Sequence, residues 1–197
     1  MQTLLLHSLA ASIAAKRDFA AAAGEAIGRL ARWMTETIRA GNTIYLCGNG
    51  GSAADAQHVA GEFINRFLIN RRPLPAVALT TDTSVITAIA NDFSYDDIFA
   101  KQVEALARPG DLLIGISTSG NSENIIRAVL AAHDKKTRSA VLTGGSGGRL
   151  KELADLALNV PAYKTPHIQE THIWALHFLC EVVEQELFGE ETETALV

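Results

Sequence analysis

From Gly41 onward, short apolar segments alternate with helical segments, and this alternation constrains the fold more than any other feature of the chain. The apolar segments have the length and the flanking turn residues that are typical of buried strands. Repeated strand–helix units imply a mainly parallel sheet with helices on both faces. The predicted strands cover residues 43–47, 76–79, 112–116, 139–142 and 156–160. The predicted helices cover residues 52–67, 83–90, 97–107, 121–133, 149–154 and 166–187.

Residues 1–40 precede this pattern and are predicted to be helical. Ile27, Leu30, Met34 and Ile38 recur at spacings of three and four, and Gly41 provides a stop signal. The apolar faces of such N-terminal helices need a surface to pack on, and a partner subunit is a suitable one. We therefore predict a three-layer αβα sandwich on a five-stranded, mainly parallel sheet. Its parts are N-terminal helices used for oligomerisation at 1–40, one domain at 41–188 and a flexible acidic tail at 189–197.

The composition excludes several classes of protein. A net charge of −5 argues against direct, mainly electrostatic binding of nucleic acid. No apolar run is long enough to span a bilayer, and residues 1–15 lack the pattern of a secretory signal. Cys47 and Cys180, the two cysteines of the chain, lie in apolar surroundings, which is typical of reduced, buried thiols. We expect a cytoplasmic protein.

The segment from Cys47 to Glu62 joins a predicted strand to a predicted helix through Gly48-Asn49-Gly50-Gly51. Such a junction presents backbone N–H groups to an anion at a helix N-terminus, and our first hypothesis places a phosphorylated substrate along it. His58 and Glu62 lie one turn apart on the same helix face. Taken alone, that pair is more often a hydrogen bond than a metal site.

A second junction, at residues 115–122, follows the third predicted strand. It is rich in hydroxyl groups and opens a helix, so it could bind a phosphate group. The alternative is ordinary capping of that helix by Asn121 or Ser122. Neither junction has the residues of a Walker loop or of a dinucleotide fingerprint. Two further polar segments are interpreted as turns, namely Asn91-Asp92 and the glycine-rich residues 144–148, which we expect to be flexible rather than part of a ligand loop.

The last predicted helix carries Gln169, His172 and His177 among apolar residues. Polar side chains in such surroundings need buried partners. Together with His58 and Glu62, two helices could therefore hold a divalent ion. Imidazole and carboxylate groups suit Zn²⁺, whereas an amide oxygen is a less usual ligand.

These motifs together resemble the sugar isomerase domain family and, within it, the phosphoheptose isomerases. The matching segments occur in the same order along most of the chain, which makes the joint resemblance specific. They are CGNGGSAADAQH at 47–58, Glu62, AND at 90–92, ISTSGNS at 116–122, LTG at 142–144, and IQE at 168–170 followed by His177.

The resemblance implies an isomerase that interconverts sedoheptulose 7-phosphate and D-glycero-D-manno-heptose 7-phosphate for surface polysaccharide synthesis. It further implies a homotetramer with sites at subunit interfaces, one Zn²⁺ per subunit, and Glu62 and His177 as catalytic base and acid. The implied metal ligands are His58, Glu62, Gln169 and His177. The implied substrate-binding residues are Asn49, Gly50, Gly51, Ser52, Glu62, Asn91, Asp92, Ser117, Thr118, Ser119, Ser122 and Gln169.

Two observations complicate the resemblance. Thr165-Pro166-His167 stands where the family commonly has Ala-Asp-Arg, so contacts of that Asp and Arg are in doubt. Parts of the chain also resemble a non-enzymatic relative that tethers the bacterial replication initiator. That relative lacks an acidic residue at the position of Glu62 and a histidine at that of His177. Because this chain has both, the enzyme is favoured over the binding protein and over a sugar-phosphate sensor.

Overall fold

The computed structural model describes the backbone of residues 1–194 and the side chains of residues 1–189. Within this part of the chain, no helix is long and apolar enough to cross a membrane.

Five strands form one parallel sheet, as predicted. They are β1 (Ile44–Gly48), β2 (Ala76–Ala78), β3 (Leu112–Ser117), β4 (Arg138–Gly144) and β5 (Leu156–Val160). Their order across the sheet is β2-β1-β3-β4-β5, and every neighbouring pair is parallel. The central strands β1 and β3 are buried at every position, which explains why they appear in the sequence as continuous apolar runs.

Helices cover both faces of the sheet, so the three-layer αβα architecture is confirmed. The helices are α1 (Gln2–Arg39), α2 (Gly51–Ile64), α3 (Thr83–Asp92), α4 (Ala100–Leu106), α5 (Glu123–Asp134), α6 (Leu150–Leu153) and α7 (Thr165–Thr194). One core cluster joins the sheet to α1, α2 and α7, and the other joins its opposite face to α4, α5 and α6.

The structure corrects the predictions for the two ends of the chain. The segment predicted as several N-terminal helices is one continuous helix of 38 residues. At the other end, α7 continues to Thr194, so the tail predicted to be flexible from residue 189 begins inside a helix. A single glycine such as Gly189 costs a helix only about 1 kcal/mol relative to alanine, which is too little to end it. Residues 195–197 of the predicted tail lie outside the described residues.

Two internal helices also differ from prediction. Helix α2 ends at Ile64 rather than at residue 67, because the following N–H groups bond to a side chain of α7. The helix predicted at 97–107 is divided into a 3₁₀ turn at Tyr95–Asp97 and helix α4. Pro166 lies in the first turn of α7, as predicted.

The strand order places a topological switch point between β1 and β3. From β1 the chain crosses to β2 on one side, and β3 leads to β4 and β5 on the other. Helix α2 after β1 and helix α5 after β3 pack on opposite faces. The loops that follow these two strands therefore diverge and leave a crevice at the carboxyl edge of the sheet, where open α/β sheets bind their ligands.

Candidate active site

The two junctions singled out in the sequence meet at this crevice. Gly48 at the end of β1 is in register with Ile116 in β3, so the loops that follow are neighbours. Asn49 in the first loop exchanges two side-chain hydrogen bonds of 2.9 Å with Asn124 in α5. The Tyr95 hydroxyl also donates to Asn49 Oδ1 at 3.1 Å. Asn124 and Tyr95 were missed in the sequence, because nothing local marks them as partners of Asn49.

The start of α2 is packed against the start of α7. A Cβ atom added to Gly51 would lie 2.6 Å from Gln169 Nε2, so glycine is needed for the Gln169 side chain to reach this helix end. Gly50, at the N-cap position, has a φ of +56°, which also favours glycine. Ser52 in the first turn is buried. These residues bring Gln169 to the helix start, a contact that the distance in sequence does not reveal.

In the hydroxyl-rich loop after β3, Ser122 bonds to another hydroxyl group of the loop rather than capping its own helix. Ser122 is the N-cap residue of α5, yet its side chain makes no capping hydrogen bond. Its Oγ instead lies 2.9 Å from the Oγ of buried Ser117. The first N–H groups of an α-helix have no partners within the helix. In α5 those of Ile125 and Ile126 donate to Ser122 O, which leaves those of Glu123 and Asn124 for an anion. This arrangement favours the phosphate interpretation over simple capping by Ser122.

The glycine-rich loop at 144–148 forms turns, as predicted, and it packs against the loop after β3. The chain is in van der Waals contact here, because a Cβ on Gly120 would lie 1.9 Å from the carbonyl oxygen of Gly147. The N–H of Leu150 donates to Gly120 O at 2.9 Å, which holds the two loops together. A cavity of about 270 Å³ lies between them. Its lining includes Thr118, Ser119, Gly144, Gly145, Ser146 and Tyr163.

His58, Glu62 and His177 converge where α2 packs on α7. The Nε2 atoms of His58 and His177 are 2.7 Å apart, and His58 Nε2 is 3.4 Å from Glu62 Oε1. The ring of His177 stacks on Phe67 with 5.6 Å between ring centroids. All three polar groups are partly accessible, so a small ligand can reach them. The structure thus joins three residues that the sequence placed on two separate helices.

The surroundings of His177 favour its neutral form. Burial lowers the pKa of His177, the nearby His58 lowers it further, and Glu62 acts in the opposite direction. Two imidazoles at 2.7 Å share one hydrogen bond only when one donates and the other accepts. Burial also raises the pKa of Asp55, one turn before His58, and its buried Oδ2 has no hydrogen-bond partner.

The donor set fits a divalent metal in its chemistry. Two imidazoles and a carboxylate are common ligands of Zn²⁺. Ligand nitrogens about 2.05 Å from a tetrahedral ion lie roughly 3.3 Å apart, whereas the two Nε2 atoms here are at hydrogen-bond distance. Accordingly, the described residues contain no group of three or more His, Cys, Asp and Glu side chains already spaced around an ion. Gln169 contacts Gly51, on the same helix as His58 and Glu62.

The remaining predicted residues lie nearby or elsewhere. Asn91 and Asp92 end α3, are exposed, and bond to each other at 2.8 Å. Within the described residues, no hydrogen bond joins them to the other predicted site residues. His172 is buried and bonds to Thr143 O at 3.0 Å, so it ties α7 to β4 and does not enter the cluster.

The segment that departs from the family pattern has a role in packing. His167 is buried, and its Nδ1 lies 3.7 Å from Glu170 Oε2. Glu170 also accepts a hydrogen bond from Ser12 of α1. Lys16 of α1 bonds to Ser12 at 2.6 Å. His167 thus lies beside Glu170, whose contacts with Ser12 and Lys16 join the start of α7 to α1.

Comparisons with known proteins agree with this geometry. Residues 9–144 match the family model described as SIS domain. The chain is 50% identical to a phosphoheptose isomerase of Roseiflexus sp. over 186 residues, 94% of each chain. Solved structures of phosphoheptose isomerases from Neisseria gonorrhoeae and Francisella tularensis superpose with TM-scores of 0.89 and 0.90, at 44% and 41% identity. Each comparison covers 93% of this chain and 98% of the other.

Proposed function

The chain belongs to the SIS domain family and is a phosphosugar isomerase, and from this premise we propose that its substrate is sedoheptulose 7-phosphate. The product is D-glycero-D-manno-heptose 7-phosphate, and the reaction is the first step of bacterial heptose synthesis for lipopolysaccharide or another surface polysaccharide. The observation that carries the proposal is the convergence of His58, Glu62 and His177 from two separate helices, one of which starts beside the crevice. We place this carbohydrate metabolism in the cytoplasm, which suits the two buried free cysteines.

The phosphate group is proposed to bind at the loop after β3. Hydroxyl groups and the N–H groups at the start of α5 supply hydrogen bonds, and the helix N-terminus adds a partial positive charge. Binding of this remote group orients the reacting carbons at the other end of the sugar. The binding residues are Ser117, Thr118, Ser119 and Ser122.

The reacting end of the sugar is proposed to lie between the start of α2 and the cluster of His58, Glu62 and His177. Asn49, Gly50, Gly51, Ser52 and Gln169 surround it, with Asn91 and Asp92 placed at the rim or supplied to a neighbouring subunit. The contact between Gly51 and Gln169 supports this position, because it brings an amide group of α7 to the start of α2.

The proposed chemistry is a proton shuttle between C1 and C2. The carboxylate of Glu62 removes the proton from C1 of the ketose, which gives an enediolate, and returns it to C2. His177 donates a proton to the oxygen on C2 and takes one from the oxygen on C1, so that charges balance. The lowered pKa of His177 suits this exchange, since a neutral imidazole can both donate and accept.

We further propose that one Zn²⁺ per subunit is held by His58, Glu62, Gln169 and His177. When bound, such an ion supplies Lewis-acid polarisation of the carbonyl and hydroxyl oxygens. The chemistry of the converging donors supports this assignment.

We also propose that the protein is a homotetramer whose sites lie at subunit interfaces. Helix α1 is about 57 Å long at 1.5 Å per residue, and its first turns carry the exposed apolar residues Leu5, Leu9 and Ile13. Further along, an apolar cavity of about 370 Å³ lies between α1 and α7. The exposed apolar residues of α1 and the cavity beside it are the kind of surface on which a second copy of the chain can pack.

The proposal is tested by an isomerase assay on sedoheptulose 7-phosphate, with and without a chelator, beside a panel of five- and six-carbon ketose phosphates. We expect turnover of the seven-carbon substrate and its loss after metal removal. Turnover of another sugar phosphate alone would overturn the proposed substrate. Activity that survives complete metal removal would overturn the zinc assignment and leave the substrate intact.

A further inference from the structure

A buried ion pair lies behind the cluster of His58, Glu62 and His177. Arg71 Nε is 2.9 Å from Glu184 Oε1, and both side chains are only 2% exposed. A buried ion pair is stabilising only when hydrogen bonds satisfy its remaining donors and acceptors, because both charges lose their water. The other partners of Arg71 and Glu184 therefore indicate what the pair does.

Glu184 holds the loop that follows α2. Its two oxygens accept hydrogen bonds from the backbone N–H groups of Phe67, Leu68 and Ile69, at 2.7–2.9 Å. Burial alone raises the pKa of the Glu184 carboxyl, but these three donors and Arg71 outweigh it, so the pKa lies below its usual range. The carboxylate is therefore charged at neutral pH and fixes three consecutive residues of the loop.

Arg71 holds the end of α2 itself. Its Nη2 donates to the carbonyl oxygen of Glu62 at 2.8 Å, and its Nη1 donates to that of Phe63 at 2.7 Å. Carbonyl groups in the last turn of a helix have no partners within the helix, and a cation there is favourable. One guanidinium group thus fixes the backbone of Glu62, the proposed base.

The same pair also reaches His177, the proposed acid. Phe67, whose N–H is held by Glu184, stacks its ring on His177 at an interplanar angle of 21°. Glu184 lies two turns after His177 on α7. We infer that Arg71 and Glu184 are positioning residues, which set the backbone of Glu62 and the ring of His177 relative to each other. This inference rests on the proposed function only in assigning proton transfer to those two side chains.

The decisive variant is Arg71→Lys, which keeps a cation beside Glu184 but lacks the second and third nitrogens that reach the carbonyl groups of α2. A displacement of about 1 Å in a catalytic group can lower turnover by a factor of about 100. We expect kcat to fall at least about 10-fold. The inhibition constant of inorganic phosphate should stay unchanged, because the loop at 117–122 does not contact the pair.

Two controls separate positioning from simple loss of stability. Arg138→Lys changes an exposed arginine that makes an ion pair of 2.7 Å with Glu36, and kcat should be unaffected. Val129→Ala removes buried atoms from α5 and lowers the thermal midpoint without touching the cluster. If the two variants lower the thermal midpoint by the same amount, kcat should fall far more in Arg71→Lys than in Val129→Ala. Equal losses would mean that the pair is only structural.

A second readout needs no substrate. In the metal-free protein, the His177 ring proton resonance is shifted by the ring current of Phe67, and NMR of histidine-labelled protein measures this shift. We expect Arg71→Lys to reduce it and Arg138→Lys to preserve it. If the wild type turns over no sugar phosphate, the proposed function fails, and this shift alone decides whether the pair positions His177.

The inference is overturned if Arg71→Lys retains kcat within twofold of the wild type, or if its His177 shift is unchanged. If Arg71→Lys does not fold, Phe67→Leu replaces it, since this variant keeps both charges and removes only the stacked ring. A fall in kcat at constant phosphate inhibition then supports the inference. Unchanged kcat in Phe67→Leu overturns it.

Discussion

Glu62 and His177 are the residues on which the proposed chemistry depends, and His58 links them through contacts of 3.4 and 2.7 Å. The change from Glu62 to Gln keeps the size of the side chain and removes its charge and basicity. General base catalysis contributes roughly 10²–10⁴-fold, so kcat on sedoheptulose 7-phosphate should fall at least about 100-fold. Glu152→Gln, at an exposed position in α6, is the matched control. Near-normal turnover by Glu62→Gln with an unchanged thermal midpoint would remove Glu62 from the mechanism.

His172 predicts a dependence of stability on pH. Burial lowers its pKa to about 4, although its hydrogen bond to Thr143 O acts in the opposite direction. In the unfolded chain His172 takes up a proton below about pH 6.5, while in the folded protein it stays neutral down to about pH 4. The unfolded state therefore binds more protons in this window, and the free energy of unfolding falls as the pH falls from 6.5 to 4. The contribution of His172 to this loss is about 3 kcal/mol.

The variant His172→Gln tests this prediction, because glutamine retains a donor for Thr143 O and does not titrate. Urea unfolding between pH 4 and 7.5 measures the free energy of unfolding at each pH. This free energy should fall less steeply with decreasing pH in His172→Gln than in the wild type. His7→Gln, at an exposed position of α1, should reproduce the wild-type slope. Identical slopes for His172→Gln and the wild type would show that His172 does not cause the pH dependence.

At the scale of elements, the loop after β3 and the loop after β4 depend on each other. Gly120 has a φ of +67°, and a Cβ there would overlap the Gly147 carbonyl. Gly120→Ala should therefore push the loop at 117–122 out of place. We expect the inhibition constant of inorganic phosphate to rise about 10-fold, which corresponds to 1.4 kcal/mol.

Gly41→Ala is the control for this variant, because Gly41 has a similar φ of +76° but nothing within 4 Å of a new Cβ. It should share the conformational strain and leave phosphate inhibition unchanged. If both variants weaken phosphate binding equally, strain rather than loop contact is responsible. If neither does, the phosphate site lies elsewhere.

The sequence predicted the elements well because strands and helices are local patterns. The strand at 156–160 was predicted with its observed bounds, and the ends of the other four lie within two residues of the observed ones. The end of α2 was predicted three residues too late, since the acceptor that interrupts the helix, Glu184, lies in α7. Local patterns carry no information about such a distant partner.

The candidate site was predictable only in part for the same reason. Glycines, hydroxyl groups and the spacing of His58 and Glu62 are visible in the sequence, as are Gln169 and His177 among apolar residues. The resemblance to a family supplied the roles of these residues. The bond between Asn49 and Asn124, the pairing of Ser117 with Ser122 and the stack of Phe67 on His177 depend on the fold. The packing of the glycines at 144–148 against Gly120 was not predictable either, because it joins two separate loops.

At the scale of the whole molecule, one helix connects most of the functional parts. Helix α7 contributes Gln169 at the start of α2, His172 at the end of β4, His177 beside His58 and Glu184 at the end of α2. Its opposite side packs on α1. A subunit that binds along α1 and α7 would therefore contact the same helix that positions the site, which gives a physical route from assembly to activity.

Assembly is tested at Phe178, which lines the apolar cavity between α1 and α7 and is 45% exposed. Phe178→Asp would place a charge where a second copy of the chain is proposed to pack, and burying an unpaired carboxylate is strongly unfavourable. Leu130→Asp is the matched control, since Leu130 is also 45% exposed but lies in α5 on the other face of the sheet. Analytical ultracentrifugation should give a tetramer for the wild type and for Leu130→Asp, and smaller species for Phe178→Asp. A monomeric wild type would refute the tetramer, and a tetrameric Phe178→Asp would move the interface away from α1 and α7.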